Sequence, residues 1–539
     1  MRSRTVAGCA GTTQFSITQS CTTTRMGPPI DYQALLPVEL WLACWTLCSH
    51  RQLRRVALVC HVFRSLALPL LYRQQHFDLF ALGVRLTQDN WIERVRHIHR
   101  TAVRLDRLTE GPYASFVQSW RVTFSHSSRM VGSHRDIQNI QLFNDMYDRV
   151  VMTFCKTLRL YHNLSSLHIR YFTIDAAFRQ SLTSLSNLED LKLDNCYISA
   201  ATGFLQLRSL KVCGMNPMYG GGPLQIASPG SLRAIEVDHQ ISLLIAGFRS
   251  AKLQHLVHLS MQVVREVEAL FSFLGQCPRL ESLVIRGVYK GSVLPPSVPP
   301  TTIPLLHSIT GPPDIIQLLA PNRPVTSVSV LHAGGSSGEQ SMEYLVSVCM
   351  DISCSSAPLY SLSLLRTSPT LEALAAITSL FPELKELCIT VDGMRGSACG
   401  RPTYSGGRSV DRRWVDLCDE TAFDDPSPDE VSDDEEEEPS IIIVTEATHP
   451  YKTSGFKRTF DWISGGLLSL PPRLEVLQME VHGFSLWGLS VAEQYAAIAA
   501  LSRLCPLLRE VQFGSLESNW KRNGNLWKSG ENKSRIRIL

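Results

Sequence analysis

One short spacing returns along most of this chain: apolar, two variable residues, apolar, one variable, apolar. It runs Val117-Trp120-Val122, Leu164-Leu167-Ile169, Leu188-Leu191-Leu193, Leu207-Leu210-Val212, Leu232-Ile235-Val237, Leu256-Leu259-Met261 and Leu280-Leu283-Ile285. Less regular copies follow at Leu306-Ile309, Val325-Val328-Val330, Leu359-Leu362-Leu364 and Leu384-Leu387-Ile389, and two more at Leu474-Leu477-Met479 and Leu508-Val511-Phe513. Residues two apart on a strand share a face, so Leu191 and Leu193 point inward while Lys192 and Asp194 point out. The leading apolar residue marks the turn into each strand. From Leu164 to Leu306 the copies start 19 to 26 residues apart, with helix-compatible stretches such as Ile174 to Leu185 and Glu266 to Leu274 between them. A unit of that length cannot bury its own apolar face, whereas stacked copies share one core. The expectation is an α/β chain with one strand per repeat. An ordinary α/β domain with parallel strands would give similar strands but no fixed period.

Upstream lies a second pattern. Leu36-Pro37 opens a helix, since proline fits the first turn, where its missing N–H would be unpaired anyway. Leu36, Leu40, Cys44 and Leu47 make one apolar face. After the polar break Ser49 to Gln52, the run Leu53, Val56, Val59, Cys60, Phe63, Leu66 makes another, with Arg54, Arg55 and Arg64 off the stripe and Pro69 expected to end it. So few short helices carry more apolar surface, with Leu40, Trp41 and Trp45, than they can hide alone, which implies a partner surface. A further helix is expected over Trp91 to Leu108, with Trp91, Val95, Ile98, Ala102 and Leu105 on one face.

Leu-Pro-x-Glu-Leu at Leu36 to Leu40, Leu-Arg-Arg-Val-Ala-Leu-Val-Cys at Leu53 to Cys60, and Phe63 together resemble an F-box. That resemblance covers roughly 40 residues of the 539. It implies a helical module docking on the Skp adapter of a cullin-based ubiquitin ligase, with Leu36, Pro37, Glu39, Leu40, Trp41, Val59, Cys60 and Phe63 as adapter-binding residues. The repeats resemble the degenerate leucine-rich repeats that accompany F-boxes in fungal proteins, and Asp194-Asn195-Cys196 is similar to the position where a buried polar group ties successive turns together. The turn-like Ile309 to Pro313 and Arg323 to Val328 fit the same family. The implied fold is a short N-terminal helical F-box module followed by an irregular leucine-rich-repeat solenoid. The implied role is recognition of a target protein by the outward strand residues Lys192, Lys211, Arg233, Glu236 and Gln262, while catalysis belongs to other subunits. The rival expectation is a repeat scaffold with no ligase role; a solenoid regulator of a GTPase or nuclease is more distant.

The resulting division is a disordered leader 1–30, the F-box-like module 31–75, a helical connector 76–115, repeats 116–390, a disordered acidic insertion 391–465, the last repeats 466–515 and a basic tail 516–539. The insertion is where the period lapses. It holds 14 acids against two arginines between Asp411 and Glu438, and its removal from 52 basic and 49 acidic residues leaves 50 and 35. A run of that composition is expected to be solvated rather than packed. Ser432, followed by Asp433, Asp434 and Glu435, resembles an acid-directed kinase site.

No apolar run reaches the roughly 18 residues a membrane helix needs, and the first 30 residues lack the apolar core of a secretion signal. Fifteen scattered cysteines then read as reduced thiols in a cytoplasmic or nuclear protein. Phosphate-binding glycine loops, metal-ligand spacing and a nucleophile elbow are absent from the sequence: Cys44 and Cys48 lie on a helical stripe, Cys349 and Cys354 lack a companion pair, and His97 and His99 cannot share a helical face. The expectation is therefore no catalysis by this chain, no cofactor, no metal, and neither nucleic acid nor membrane as partner.

Overall fold

The computed structural model describes residues 37–78, 88–124, 137–198, 204–214, 226–238, 248, 251–289, 292–331, 342–365, 370–392, 455–467, 469–482, 491–514, 519–529 and 535–537. Leu36, the leader and the acidic run with Ser432 lie outside them. The described residues are mixed α/β and divide into two compact units, one within Met1–Phe77, Leu86–Arg121 and Gln138–Leu164, the other within Asp78–Arg85, Val122–Ile137 and Ser165–Leu539.

The first unit begins with three short helices, α1 (Val38–Thr46), α2 (His50–Val56) and α3 (His61–Tyr72). Their boundaries follow from side-chain chemistry. Pro37 occupies the N-cap of α1. Ser49 caps α2 in a reciprocal box with Gln52, an arrangement that satisfies two otherwise unpaired N–H groups. Cys60 Sγ accepts from the Phe63 N–H at the start of α3, so the second apolar run of the sequence is two helices separated by a turn. Pro69 does not end the helix as expected; α3 continues to Tyr72. Placed in the last turn, the proline forfeits a single backbone bond while Leu70 and Leu71 keep the helix against its neighbours. The same unit holds strand β1 (Gln74–Asp78), α4 (Gln88–Glu110), β2 (Ser119–Thr123) and α5 (Ile137–Thr157). The helix expected over Trp91 to Leu108 is α4, with Ile98, Leu105 and Leu108 buried. Trp120 is fully buried, stacked on Phe77 at 4.6 Å and edge-on to Phe154 and Tyr161.

The second unit is a ladder of parallel strands: β3 (Ser166–Arg170), β5 (Asp190–Asp194), β7 (Ser209–Cys213), β8 (Ala234–Val237), β9 (His258–Val264), β10 (Ser282–Val288), β11 (Ser308–Gly311), β12 (Ser327–Leu331), β13 (Ser361–Leu365), β14 (Glu386–Asp392), β15 (Val476–His482) and β16 (Glu510–Phe513). Two-residue strands β4 (Thr173–Ile174) and β6 (Tyr197–Ile198) pair beside it. Each strand coincides with one copy of the sequence spacing, and the paired apolar residues of each copy are buried. The leading apolar residue is buried too, from Leu164 to Leu508. At roughly 1.5–3 kcal/mol per fully buried side chain, this row is the main source of cohesion. Helices α6 (Ala176–Thr183), α7 (Val267–Leu274), α8 (Pro313–Leu319), α9 (Met342–Ser353), α10 (Leu371–Leu380) and α12 (Val491–Leu504) intervene between strands.

Register is fixed by a shared acceptor. The carbonyl just before each strand takes the N–H groups of two consecutive residues on the next: Glu189 O from Arg208 and Ser209, Arg208 O from Arg233 and Ala234, Arg233 O from Val257 and His258, and so on to Glu475 O from Arg509 and Glu510. Asp194 closes another link, its carbonyl accepting from Tyr171, while Cys196 Sγ lies 3.5 Å from Ile169 O. The polar tie expected at Asp194 to Cys196 is thus made by Cys196; Asn195 is exposed and takes a positive φ of 52°.

Two boundaries move. Residues 455–464, expected within the insertion, form α11 (Gly455–Ser464), with Phe460 and Ile463 buried. Residues 516–539 are not simply a basic tail: β17 (Asn519–Asn523), β18 (Leu526–Ser529) and β19 (Arg535–Arg537) pair antiparallel and continue the sheet from β16. Trp520 and Trp527 are buried, their indole N–H groups donating to Gln494 Oε1 and Ser502 Oγ. Aromatic burial outweighs the solubility of Lys521 and Lys528, which adjoin the two tryptophans in sequence and point to the opposite face, exposed.

Candidate functional site

The three-helix module has a small core of its own: Trp45, Leu53, Ala67 and Leu71, with Trp41, Phe63, Leu66 and Leu70 packed against it. Trp41, Trp45 and Phe63 form an aromatic triangle with centroids 5.1–5.8 Å apart. The third helix supplies what a helical pair lacks. Trp45 is only 4% exposed, so the two tryptophans are not the unhidden surface the sequence implied.

What the module leaves out is a different set. Leu47 is 90% exposed, Leu58 86%, Val59 67% and Leu40 50%, and Val38 is also exposed. None of these belongs to the module's core. Leu47 follows the end of α1, and Leu58 and Val59 occupy the turn between α2 and α3. Single exposed leucines are ordinary; here five exposed apolar residues fall at the two ends of α1 and in the turn between α2 and α3.

The residues expected to bind an adapter therefore separate into two groups. Pro37, Glu39, Leu40, Val59 and Cys60 are exposed, whereas Trp41 and Phe63 are half-buried and brace α1 against α3. Leu36 lies outside the described residues. Leu47 was missed as a surface residue because leucine on an apolar stripe reads as core, and Leu58 because it falls off the second stripe; the caps Ser49 and Cys60, which place both outside the helices, are the signal that could have found them.

The half-exposed face of the parallel sheet is the second surface. The pairing puts His168, Lys192, Lys211, Glu236 and Ser260 side by side on consecutive strands. Lys192, Lys211 and Glu236 are thus one row, and Lys211 Nζ pairs with Glu236 Oε2 at 2.5 Å. Arg233 precedes its strand and is exposed, while Gln262 sits two residues past Ser260, on the far side of that row. Asp194, expected to face solvent, is buried beneath three basic side chains: His168 Nε2 at 2.7 Å, Arg170 Nε at 3.4 Å and Lys192 Nζ at 3.4 Å. Burial alone would raise its pKa, but the His168 hydrogen bond and the His168 and Lys192 charges together hold it below the ordinary value. Farther along, the face changes to hydroxyls: Ser282, Ser308, Ser327 and Ser361 in one row, Thr310, Ser329 and Ser363 in the next. A surface ordered from charged to neutral hydroxyl offers hydrogen bonds to an extended partner.

Among the described residues no group of His, Cys, Asp and Glu has the arrangement to hold a metal ion, and no described helix is long and apolar enough to cross a membrane. No protein-family model matches the chain, and no curated protein matches it in sequence.

Proposed function

We propose that this chain is a substrate-recruiting subunit of a Skp–cullin–F-box ubiquitin ligase: an F-box module that docks on the Skp adapter, followed by an irregular leucine-rich-repeat solenoid that holds the target protein. The observation that carries it is the division of labour in the module. Trp41, Trp45 and Phe63 satisfy a private core, while Leu40, Leu47, Leu58 and Val59 stay exposed beside Pro37 and Glu39. A helical cap of the repeats alone would have no use for apolar side chains that its own core leaves in water. The one-strand-per-repeat ladder supports the second half, with Lys192, Lys211, Arg233, Glu236 and Gln262 as target contacts. The chain then contributes proximity between target and ubiquitin-charged enzyme, and it acts in the cytoplasm or nucleus.

The test is a pull-down of purified Skp adapter by the tagged full chain, beside a Leu40→Asp/Val59→Asp variant. Both side chains are exposed, so the variant is expected to fold. Capture by the parent and its loss in the variant supports the ligase role. No capture by a folded parent overturns it and leaves a repeat scaffold.

A further inference from the structure

We infer that the first unit carries a second site, unrelated to adapter docking: a pocket for a small, multiply phosphorylated molecule. An open cavity of about 1000 Å³ lies between α2, the end of α3 and α4. Four arginines line it, Arg54 from α2 and Arg100, Arg104 and Arg107 from α4, together with His50 and His99. Among the described residues no aspartate or glutamate lines it, and none of the four guanidiniums makes an ion pair with a described carboxylate.

All four arginines are exposed, so their mutual repulsion in the empty protein is modest, and the open cavity leaves their guanidiniums within reach of a ligand. Arg100, Arg104 and Arg107 are spaced four and three apart, so they form one stripe of like charge on a helix, which weakens it. Arg54 faces the same space from another helix. Burial first, and the Arg54 charge second, lower the pKa of the Arg104 guanidinium. Arg104 is nevertheless held in place: its Nη2 donates to Gln75 Oε1 at 2.7 Å and its guanidinium lies over the Phe77 ring at 4.8 Å. Gln75 is itself buried and donates to Tyr72 O at 3.0 Å. A guanidinium fixed in this way loses little freedom when it grips an anion, and its fork matches two phosphate oxygens at once.

Size and lining select the ligand class. The volume suits a molecule of drug size rather than a single ion. Four convergent arginines exceed what one phosphate can neutralise, so several phosphate groups on one small scaffold match the site. Tyr72 and Tyr113, their rings 4.7 Å apart with planes tilted by 33°, offer an aromatic wall for that scaffold. None of the exposed apolar residues Val38, Leu40, Leu47, Leu58 and Val59 lines the cavity, so the two sites are separable by mutation.

The test is calorimetric titration of the full chain with inorganic tripolyphosphate, and separately with orthophosphate, at about 150 mM salt, where attraction between exposed charges fades beyond about 8 Å. The expected result is saturable 1:1 binding of tripolyphosphate at least tenfold tighter than of orthophosphate. R54Q and R104Q are each expected to weaken it at least tenfold, with an unchanged far-ultraviolet circular dichroism spectrum. R159Q removes an exposed arginine of the same unit that does not line the cavity and is expected to change affinity less than twofold. No saturable binding by the folded parent overturns the site. So does binding that survives R54Q and R104Q, or that R159Q weakens equally.

Discussion

His168 Nε2 lies 2.7 Å from Asp194 Oδ2 across two adjacent parallel strands, on the sheet face that otherwise meets solvent. The contact makes a buried carboxylate the anchor of a cluster of basic side chains, and its energy depends on pH in a definite direction. The folded-state pKa of Asp194 is depressed, so its contribution is present above the unfolded value of about 3.9 and is lost as pH falls through the folded value. Asp194→Asn is expected to lower stability at pH 7 by about 2 kcal/mol, with a shrinking deficit below about pH 4. Urea midpoints at pH 7 and pH 3 check this; an equal deficit at both would contradict it.

Leu58 and Val59 sit in a turn outside the module's core. Leu58→Asp and Val59→Asp are therefore expected to shift stability by no more than about 0.5 kcal/mol, while Trp45→Ala, which empties the core position, costs about 3–5 kcal/mol. Thermal melts of the three variants separate exposed from structural apolar residues.

Arg323 is fully buried, and its guanidinium donates to five backbone carbonyls: Val298, Pro299, Thr302, Leu319 and Pro321, at 2.8–3.3 Å. The loop before β11 and the C-terminal end of α8 are stapled by one side chain. Arg323→Met strands those acceptors and is expected to cost about 3 kcal/mol. Arg323→Lys is expected to recover less than half, since an ammonium has three donors and no fork. Chemical denaturation of both variants is the check.

Thiol reactivity is expected to divide sharply. Burial drives the thiols of Cys196, Cys277 and Cys349 up to about 12, whereas Cys44, Cys60 and Cys354 are exposed. Brief iodoacetamide treatment of the native chain followed by peptide mass spectrometry should label the second set and spare the first. Labelling of Cys196 at a rate like that of Cys60 would contradict the burial.

Trp527 is fully buried and donates to Ser502 Oγ at 3.0 Å. Trp527→Ala is expected to cost about 3–5 kcal/mol and to loosen the strands that follow β16. Faster amide exchange of Glu510 to Phe513 in the variant is the readout, because β16 would regain an uncovered edge.

The strands were legible because a two-residue alternation, once one face is buried, leaves a single register open. Leu191 and Leu193 point to the core for the same reason that Lys192 does not. Three things were hidden. Spacing does not show where a helix is capped, so Leu53 to Leu66 read as one helical run until Cys60 divided it and put Leu58 and Val59 in a turn. Nor does it show what covers a polar residue: Asp194 sits on the outward side of the alternation yet is buried, since His168 and Lys192 reach it from neighbouring positions. The C-terminal strands were masked by charge, although Asn523-Gly524-Asn525 is a turn signal. Gly524 has φ +63° and the pairing of Asn523 with Leu526 leaves a two-residue loop.

The doubly used carbonyls give the sheet a particular way of failing. A strand that comes loose takes with it the acceptor for two amides of the next strand, so a local defect hands its neighbour a matching defect. Opening then advances as a moving boundary instead of staying a dent. A lesion near β9 would be sensed at β10 before it reached β13. Amide-exchange rates, followed strand by strand after a single core substitution, would record the order in which that boundary travels.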